Sequence, residues 1–427
     1  MKIRKTRRTR YRLLAMLSVV VLVAAACSDD SGGDSDDTGS DTPAAIDSIG
    51  DTEGALSLIA WVGYVEDGST EGYEAYDWVT PFEDQTGCKV TVKYADSSDE
   101  MFNLMTQQAG SFDGVSASGD SSNRLIASDA VAAVDPSLFP DFADVIAPLQ
   151  PETGTNNSQY VVDGQVYGVP YMYGPNFLMY NTEVVKPAPT SWDVVFETEL
   201  DGAANPYAGK ITAYDFPIYI ADAALYLKTH QPDLGITDPY ELTSEQLDAA
   251  VELLKQQSGM IDKYWAAYTT EIDGFVDSSM VAGTAWPINL SLSELDAPVD
   301  AAEPTEGMTG WADTWMLSTS APHPNCMLEW MKWTMTADVQ AEVADYYGAG
   351  TSNEQACDVL RKRLDKAYGK GSAALVDTVR YGYCGDATFL DSLALWKTPQ
   401  ADCGDDRGTT CQDYSIWQQK WTEVRGA

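Results

Sequence analysis

Histidine and the common catalytic motifs are nearly absent from this sequence. Its 427 residues include only two histidines, His230 and His323, and the patterns GxSxG, HExxH and CxxC do not occur. Nucleophilic or metal-assisted hydrolysis needs a positioned nucleophile, base or ligand set, so no enzyme, metal or cofactor is predicted. An exported glycosidase that uses a pair of carboxylates stays open as a lesser alternative, because paired acids have no fixed spacing in sequence.

Positive charge is also scarce. The chain has 26 Lys and Arg against 65 Asp and Glu, which gives a net charge of −39. Nucleic-acid binding needs a basic face, so this class of protein is excluded. A negative surface attracts cationic ligands. The alternative interpretation is an acidic surface that keeps the protein soluble in a salty habitat.

Long apolar runs are missing after residue 26, so no transmembrane helix is predicted in the body. Seven of the first 12 residues are basic, and a short apolar stretch over residues 13–26 ends in three alanines before Cys27. This pattern predicts a signal peptide over residues 1–26. It also predicts lipidation of Cys27 and a location on the outer face of the cell membrane, or in the periplasm. The alternatives are an ordinary signal peptide with a coincidental cysteine, and twin-arginine export through Arg7-Arg8.

Lysine and arginine are absent from residues 28–54, which are rich in Ser, Asp, Gly and Thr. Such a segment cannot bury enough apolar surface to offset its chain entropy. We therefore expect residues 27–54 to be a disordered acidic tether behind the lipidated cysteine.

Six cysteines follow Cys27, an even number that suggests disulfides in an exported protein. Cys403 and Cys411 flank a Gly- and Asp-rich turn and form the favoured pair. Cys326 with Cys357 is the second candidate, since the two bracket a predicted helix and its loop. Zinc is the rival interpretation, but the spacings are wrong for it.

The body alternates between strand and helix patterns. Examples are the apolar run at residues 54–65, the alternating "CKVTVKYA" and the helical "LTSEQLDAAVELLKQQ", whose Thr243 and Gln246 form a capping box. Alternating β and α units indicate an α/β fold with mostly parallel sheets. We expect a first lobe over residues 55–170 and 311–350, a second over 171–310, and C-terminal helices with a cysteine-rich tail packed on the lobes over 351–427.

Several segments, in this order, resemble the extracellular solute-binding proteins of ABC importers, most of all the spermidine/putrescine-binding group. They include "LIAWVGYV", "FDGVSASGDSSNRLI", "VYGVPYMYGPNFLMYN", "AGTAWP" and "LEWMKWTMTADVQAEVADYYG". The resemblance covers residues 56–347 and implies a type II periplasmic-binding-protein fold, with two lobes joined by crossing strands and closing on a ligand by hinge motion. The cysteine-rich tail is not part of the family pattern.

The resemblance also implies the site. A polyamine needs aromatic walls for its carbon chain and carboxylates for its ammonium groups. The positions that match the family's site residues are Trp61, Tyr64, Ser118, Trp286 and Asp313. Tyr173, in the crossing segment, is a further candidate.

The sequence departs from the family pattern at three places. Asp120 stands where an aromatic residue is usual, and Phe216 and Tyr219 stand where the family has an acidic pair, with Asp215 as the nearest acid. We keep Asp120, Asp215 and Tyr219 as candidate ligand-binding residues. Each candidate has a structural alternative, since a ring can pack in a core and an aspartate can form a turn or cap a helix.

These observations together predict a monomeric lipoprotein that captures a small cationic solute, such as putrescine or spermidine, for the permease of an ABC importer. The alternative is a binding protein for an oligosaccharide, an amino-acid derivative or an opine. A surface adhesin without a small ligand is a further alternative.

Overall fold

Two β-sheets organise the chain. The computed structural model describes residues 45–371, 384, 386–403 and 409–427, all of which fall in one compact unit. The expected signal peptide, Cys27 and the first part of the tether lie outside the described residues.

The strands are numbered here in chain order. They are β1 Ala55–Ala60, β2 Lys89–Tyr94, β3 Gly114–Ala117, β4 Val161–Val162, β5 Gln165–Val166, β6 Val169–Pro175, β7 Phe177–Asn181, β8 Glu199–Leu200, β9 Ala203–Ala204, β10 Ile211–Tyr214, β11 Ile261–Trp265, β12 Ala282–Ala285, β13 Val299–Ala302, β14 Thr309–Leu317, β15 Gly350–Thr351 and β16 Ala394–Leu395.

The α-helices are also numbered in chain order. They are α1 Val79–Thr86, α2 Ser98–Gln107, α3 Gly119–Ala127, α4 Asp193–Phe196, α5 Ile220–His230, α6 Ser244–Ser258, α7 Tyr268–Val276, α8 Pro287–Ser293, α9 Pro324–Thr334, α10 Ala337–Tyr347, α11 Ala356–Tyr368, α12 Ala387–Ser392 and α13 Tyr414–Arg425.

Helix starts follow local sequence signals. The hydroxyl of Ser97 accepts the N–H of Glu100 at the start of α2. Thr243 and Gln246 form the expected capping box at the start of α6. Each such bond satisfies an N–H group that the helix itself leaves without a partner.

The first sheet has the strand order β2-β1-β3-β14-β6-β15, and β16 pairs with one end of β14. Strands β2, β1 and β3 are parallel, whereas β14 runs antiparallel to both β3 and β6. Helices α1, α2, α3 and α9 pack against this sheet. We call this sheet and its helices the first lobe.

The second sheet has the order β11-β10-β12-β7-β13. Strands β10, β11 and β12 are parallel, and β7 is antiparallel to both of its neighbours. With helices α4 to α8 it forms the second lobe. The carboxyl ends of the parallel strands in each sheet are where ligands of such folds bind.

The chain passes from the first lobe to the second at Asn176, between β6 and β7. The Asn176 N–H donates to the carbonyl oxygen of Thr309, where β14 returns to the first lobe. The first lobe therefore extends to Pro175 and not only to residue 170, because β6 stays paired with β14 as far as that proline.

Residues 45–54 differ from the expected disordered tether. Ile46 forms a parallel bridge with Val134, and the carboxylate of Glu53 accepts the backbone N–H of Cys326 in the first turn of α9. The physical reason is that burying the apolar side chain of Ile46 is favourable, and that the carboxylate of Glu53 is stabilised by the N-terminal end of α9.

Three disulfides join described residues: Cys88–Cys326, Cys357–Cys384 and Cys403–Cys411. The last is the pair that the sequence favoured. The expected pair Cys326–Cys357 is wrong, because α9 packs against α1 and β1, close to Cys88, whereas α11 packs on α10. A disulfide needs Cα atoms within about 7 Å, which packing decides and sequence spacing does not.

The C-terminal tail contacts both lobes. Its strand β16 extends the first sheet, while Lys397, just after it, pairs with Asp238 of the second lobe at 2.7 Å. Helix α13 packs on α6 of the second lobe, and its Gln418 donates to Asp99 of the first. The tail is therefore a strap across the two lobes.

Candidate functional site

A partly open cavity lies between the lobes, with about 220 Å³ of empty space that includes some open solvent. Strand ends of both sheets supply its walls, as expected for parallel strands whose carboxyl ends face a crevice. The lining residues are Trp61, Tyr64, Ser118, Trp286, Trp311, Asp313, Tyr347 and Trp396. Seven of the eight are aromatic or acidic, a composition suited to a small organic cation.

Asp313 is the carboxylate of this cavity. It lies in the middle of β14, two residues after Trp311, so both side chains are on the same face of the strand. One carboxylate oxygen accepts the hydroxyl of Tyr64 at 2.7 Å, and the other accepts the hydroxyl of Ser118 at 2.6 Å. Asp313 is therefore held rigidly by two neutral donors, and it is only 3% exposed.

Burial raises the pKa of Asp313 to about 7, against the opposing effect of the hydrogen bonds from Ser118 and Tyr64. The pKa of the Tyr64 hydroxyl is raised as well, by burial and by the neighbouring carboxylate. A buried carboxyl without a cationic partner gains from an ammonium group that enters the cavity.

Aromatic rings from the two lobes meet across the cavity. The ring of Trp61, at the end of β1, lies edge-on to Trp286 at a centroid distance of 6.2 Å and also contacts Phe216 at 6.4 Å. Trp286 and Phe216 follow β12 and β10 of the second lobe. The lobes are therefore closed on each other, with the rings as the contact surface.

A glycine allows the turn that follows β1. Gly63 has φ of 89°, a left-handed conformation that favours glycine, and the Tyr64 N–H donates to the carbonyl oxygen of Trp61. This turn brings the Trp61 and Tyr64 rings to the same cavity.

The tail supplies the last wall. Trp396 follows β16, and its carbonyl oxygen lies so close to Gly119 that a Cβ atom there would come within 1.8 Å. Only glycine at the start of α3 allows this approach. The tail therefore contributes a ring to the cavity as well as a strap across the lobes.

Five of the sequence candidates line the cavity: Trp61, Tyr64, Ser118, Trp286 and Asp313. Sequence reasoning missed Trp311, Tyr347 and Trp396. Trp311 could have been found, because it is two residues before Asp313 in a strand. Tyr347 and Trp396 come from a helix end and the tail, and no local signal marks them.

The other four candidates do not line the cavity and have their contacts outside it. They are Asp120, Asp215, Tyr219 and Tyr173. Asp120 accepts the hydroxyl of Ser98 in the first turn of α3. Asp215 pairs with Arg425 at 2.9 Å and accepts the indole N–H of Trp421.

Tyr219 and Tyr173 are buried in the two lobes. Tyr219 accepts a hydrogen bond from Gln257 within the second lobe. Tyr173 lies in β6, opposite Ala312 of β14 on one side and Gly350 of β15 on the other. These side chains lie away from the cavity because of how the tail and the central strands pack. The sequence alone does not predict that packing.

Comparison with known proteins identifies the family. A protein-family model described as bacterial extracellular solute-binding protein matches residues 77–366, which is more than half of the chain. The chain belongs to the bacterial extracellular solute-binding proteins. The cavity between its lobes is the candidate site for a solute, since ligand sites are usually preformed concave pockets.

Individual proteins are similar to the chain over most of their length. The chain is 22% identical over 334 residues to the putrescine/agmatine-binding protein of Pseudomonas aeruginosa, covering 73% of this chain and 87% of the relative. It is 23% identical over 320 residues to the spermidine/putrescine-binding periplasmic protein of Escherichia coli, covering 72% of this chain and 84% of the relative.

Solved structures show the same fold. The substrate-binding protein of a spermidine/putrescine ABC transporter from Streptococcus pneumoniae superposes with a TM-score of 0.61 at 16% identity, covering 87% of this chain and 97% of the other. This solute-binding protein has the two-lobed type II periplasmic-binding-protein fold. Within the described residues, no helix is both long and apolar enough to cross a bilayer.

Proposed function

We propose that this solute-binding protein captures a small organic amine in the cavity between its lobes and delivers it to the membrane subunits of an ABC importer. The observation that carries the proposal is Asp313, a buried carboxylate that faces an aromatic cavity and is held by two hydroxyl groups. Charge-assisted hydrogen bonds and aromatic faces are the two interactions that an ammonium group prefers.

The relatives support the same class of ligand. Those that match over most of their length carry names that specify putrescine, agmatine or spermidine. The strongly negative net charge would also attract a cation to the cleft.

We further propose that the protein acts at the outer face of the cell membrane, as a monomer held by a lipid on Cys27. The basic, apolar and small-residue pattern of residues 1–27 supports this placement. Binding and release then need no catalytic step. Among the described lining residues Asp313 is the only carboxylate, whereas a carboxylate-pair glycosidase needs two.

Calorimetry on the purified protein, freed of co-purified solute, tests the proposal. We expect heat of binding and a rise in melting temperature with at least one of putrescine, agmatine, spermidine or a simpler monoamine. Glutamate, which is anionic overall, serves as the negative control. The proposal fails if none of these amines gives a signal on protein that melts cooperatively.

A second candidate is a carbohydrate ligand. The observation that favours it is the number of rings around the cavity against a single carboxylate. Mass spectrometry of the solute that co-purifies from the native host separates the two, because an amine and a sugar differ in composition.

A further inference from the structure

The cavity offers one negative charge. Asp313 is the only acidic residue among the described residues that line it, and no lysine, arginine or histidine is among them. A single ammonium group on the solute balances this charge. A second ammonium group, or a carboxylate, would be buried without a partner of opposite charge, which is costly.

The cavity also offers hydrogen-bond donors that have nothing to bind. Trp61, Trp286, Trp311 and Trp396 all line it, and their four buried Nε1–H groups have no hydrogen-bond partner among the described residues. The hydroxyl groups of Tyr64 and Ser118, in contrast, already donate to Asp313. Buried N–H groups are nearly always paired in folded proteins, so indole donors around a ligand cavity indicate an acceptor on the ligand.

Other tryptophans of the core help to judge this observation. Trp265, Trp315, Trp330 and Trp417 are buried as well, their Nε1–H groups have no partner among the described residues, and none of the four lines the cavity. Trp330, for example, lies in α9 and packs on Phe82 and Trp315. An unpaired indole N–H alone is therefore not a binding signal. What sets the cavity apart is that four tryptophans with unpaired N–H groups line the same space, next to a carboxylate.

We infer that the solute is a monocation that carries a neutral oxygen acceptor, such as an amide or a hydroxyl group. Its ammonium group binds Asp313, and its oxygen accepts from one or more of the four indole N–H groups. This inference rests on the proposed function, and it distinguishes the solute from an unsubstituted diamine. N-acetylputrescine is a simple representative of the class.

Trp396 supplies one of the four donors from the tail. It lies in the tail, beyond residues 77–366, where the family model ends. A donor supplied from outside the matched region changes the chemistry of the cavity without changing the fold. Specificity within this family can then be set by the tail.

Calorimetry with four ligands tests the inference. N-acetylputrescine has one ammonium group and a neutral oxygen; n-heptylamine has similar length and no acceptor; putrescine has a second ammonium group; γ-aminobutyrate has a carboxylate. We expect N-acetylputrescine to bind at least about tenfold more tightly than each of the others, the usual effect of one satisfied buried hydrogen bond.

Substitutions of single tryptophans test the role of the donors. Trp396→Phe keeps a ring and removes the N–H, so it should weaken N-acetylputrescine about tenfold and leave n-heptylamine unchanged. Trp61→Phe, Trp286→Phe and Trp311→Phe complete the set. Trp330→Phe, which removes an equally unpaired N–H away from the cavity, should change neither ligand.

The outcomes separate this inference from the proposed function. The inference of an oxygen acceptor is wrong if putrescine or n-heptylamine binds as tightly as N-acetylputrescine. It is also wrong if none of the four cavity variants weakens N-acetylputrescine more than n-heptylamine. In both cases the proposal that the protein captures an amine still holds. If no amine binds at all, the proposed function itself fails and the inference with it.

Discussion

At the scale of single residues, the site depends on how Asp313 is surrounded. Two hydroxyl groups hold the carboxylate in place, and none of the interactions that shift its pKa comes from a cation. A salt bridge within the protein would have neutralised the charge of the carboxylate, so that a cationic ligand would gain little by binding there. In the proposed function, neutral donors fix the geometry of the carboxylate and leave its electrostatic attraction for the solute.

Asp313→Asn should weaken binding of an amine by about ten- to a hundredfold, because a hydrogen bond to a charged group is replaced by one to a neutral amide. The melting temperature of the empty protein should not fall at pH 8, since the substitution removes a buried charge. Calorimetry and thermal unfolding measure the two effects.

Asp215→Asn is the matched control, because Asp215 pairs with Arg425 away from the cavity. It should leave affinity unchanged. Equal losses for the two variants would contradict the placement of the ammonium group at Asp313.

Amine affinity should depend on pH. The pKa of Asp313 is raised to about 7 by burial, and an ammonium ligand prefers the ionised carboxylate. Affinity should therefore fall by up to about tenfold for each pH unit below 7 and level off above it, with proton release on binding near pH 6. Titrations in buffers of different ionisation enthalpy measure the released protons.

Stability of the empty protein should follow the opposite trend. Burial raises the pKa values of Asp120, Asp222 and Asp313 to about 7, above their ordinary value of 3.8. The stability they contribute is present below the ordinary pKa and is lost as pH rises through 7. In Asp313→Asn the pH dependence of affinity should vanish, while that of the melting temperature should persist through Asp120 and Asp222.

At the scale of elements, a disulfide between residues far apart in the sequence stabilises the first lobe. The disulfide Cys88–Cys326 joins the start of β2 to α9 across 238 residues of sequence, whereas Cys403–Cys411 closes only 8. A crosslink restricts the unfolded chain more when its loop is longer. The first disulfide should therefore matter more for stability than the one that the sequence made obvious.

Replacing Cys88 and Cys326 together by serine should lower the free energy of unfolding by about 5 kcal/mol, against about 2.5 kcal/mol for Cys403 and Cys411 in the chain-entropy estimate. Denaturant unfolding of the two double variants gives the comparison. An equal or reversed order would show that loop length does not govern these crosslinks.

At the scale of the whole molecule, the strap couples closure of the lobes to the tail. Strand β16 belongs to the first sheet, and Lys397 next to it pairs with Asp238 and Glu241 of the second lobe. The same segment places Trp396 in the cavity. Interactions of the tail therefore favour the closed arrangement in which the rings of both lobes meet.

Lys397→Met should lower ligand affinity about two- to tenfold and increase the radius of gyration of the empty protein, because it removes an ion pair between the lobes. Small-angle scattering and calorimetry measure these changes. Lys89→Met, which removes the exposed pair with Glu83 inside the first lobe, is the control and should alter neither.

The order of elements could be predicted to a large extent from the sequence. The parallel strands of both sheets, the capping box at Thr243 and the return of β14 to the first lobe all follow from local patterns. Five residues of the cavity were expected only because they match the site positions of the family that the sequence resembles. The tail was expected to pack on the lobes, but its individual contacts could not be predicted, because they join residues more than a hundred positions apart.

The sequence by itself determined the alternation of α and β elements, since periodicity is a local property of the chain, and its resemblance to a known family implied the class of protein and Asp313 as a candidate site residue. Only the tertiary structure decided that Asp120, Asp215 and Tyr219 have other partners, that Cys326 pairs with Cys88, and that Trp396 completes the cavity. The physical reason is that these features depend on which distant surfaces pack together, and packing is a property of the folded molecule as a whole.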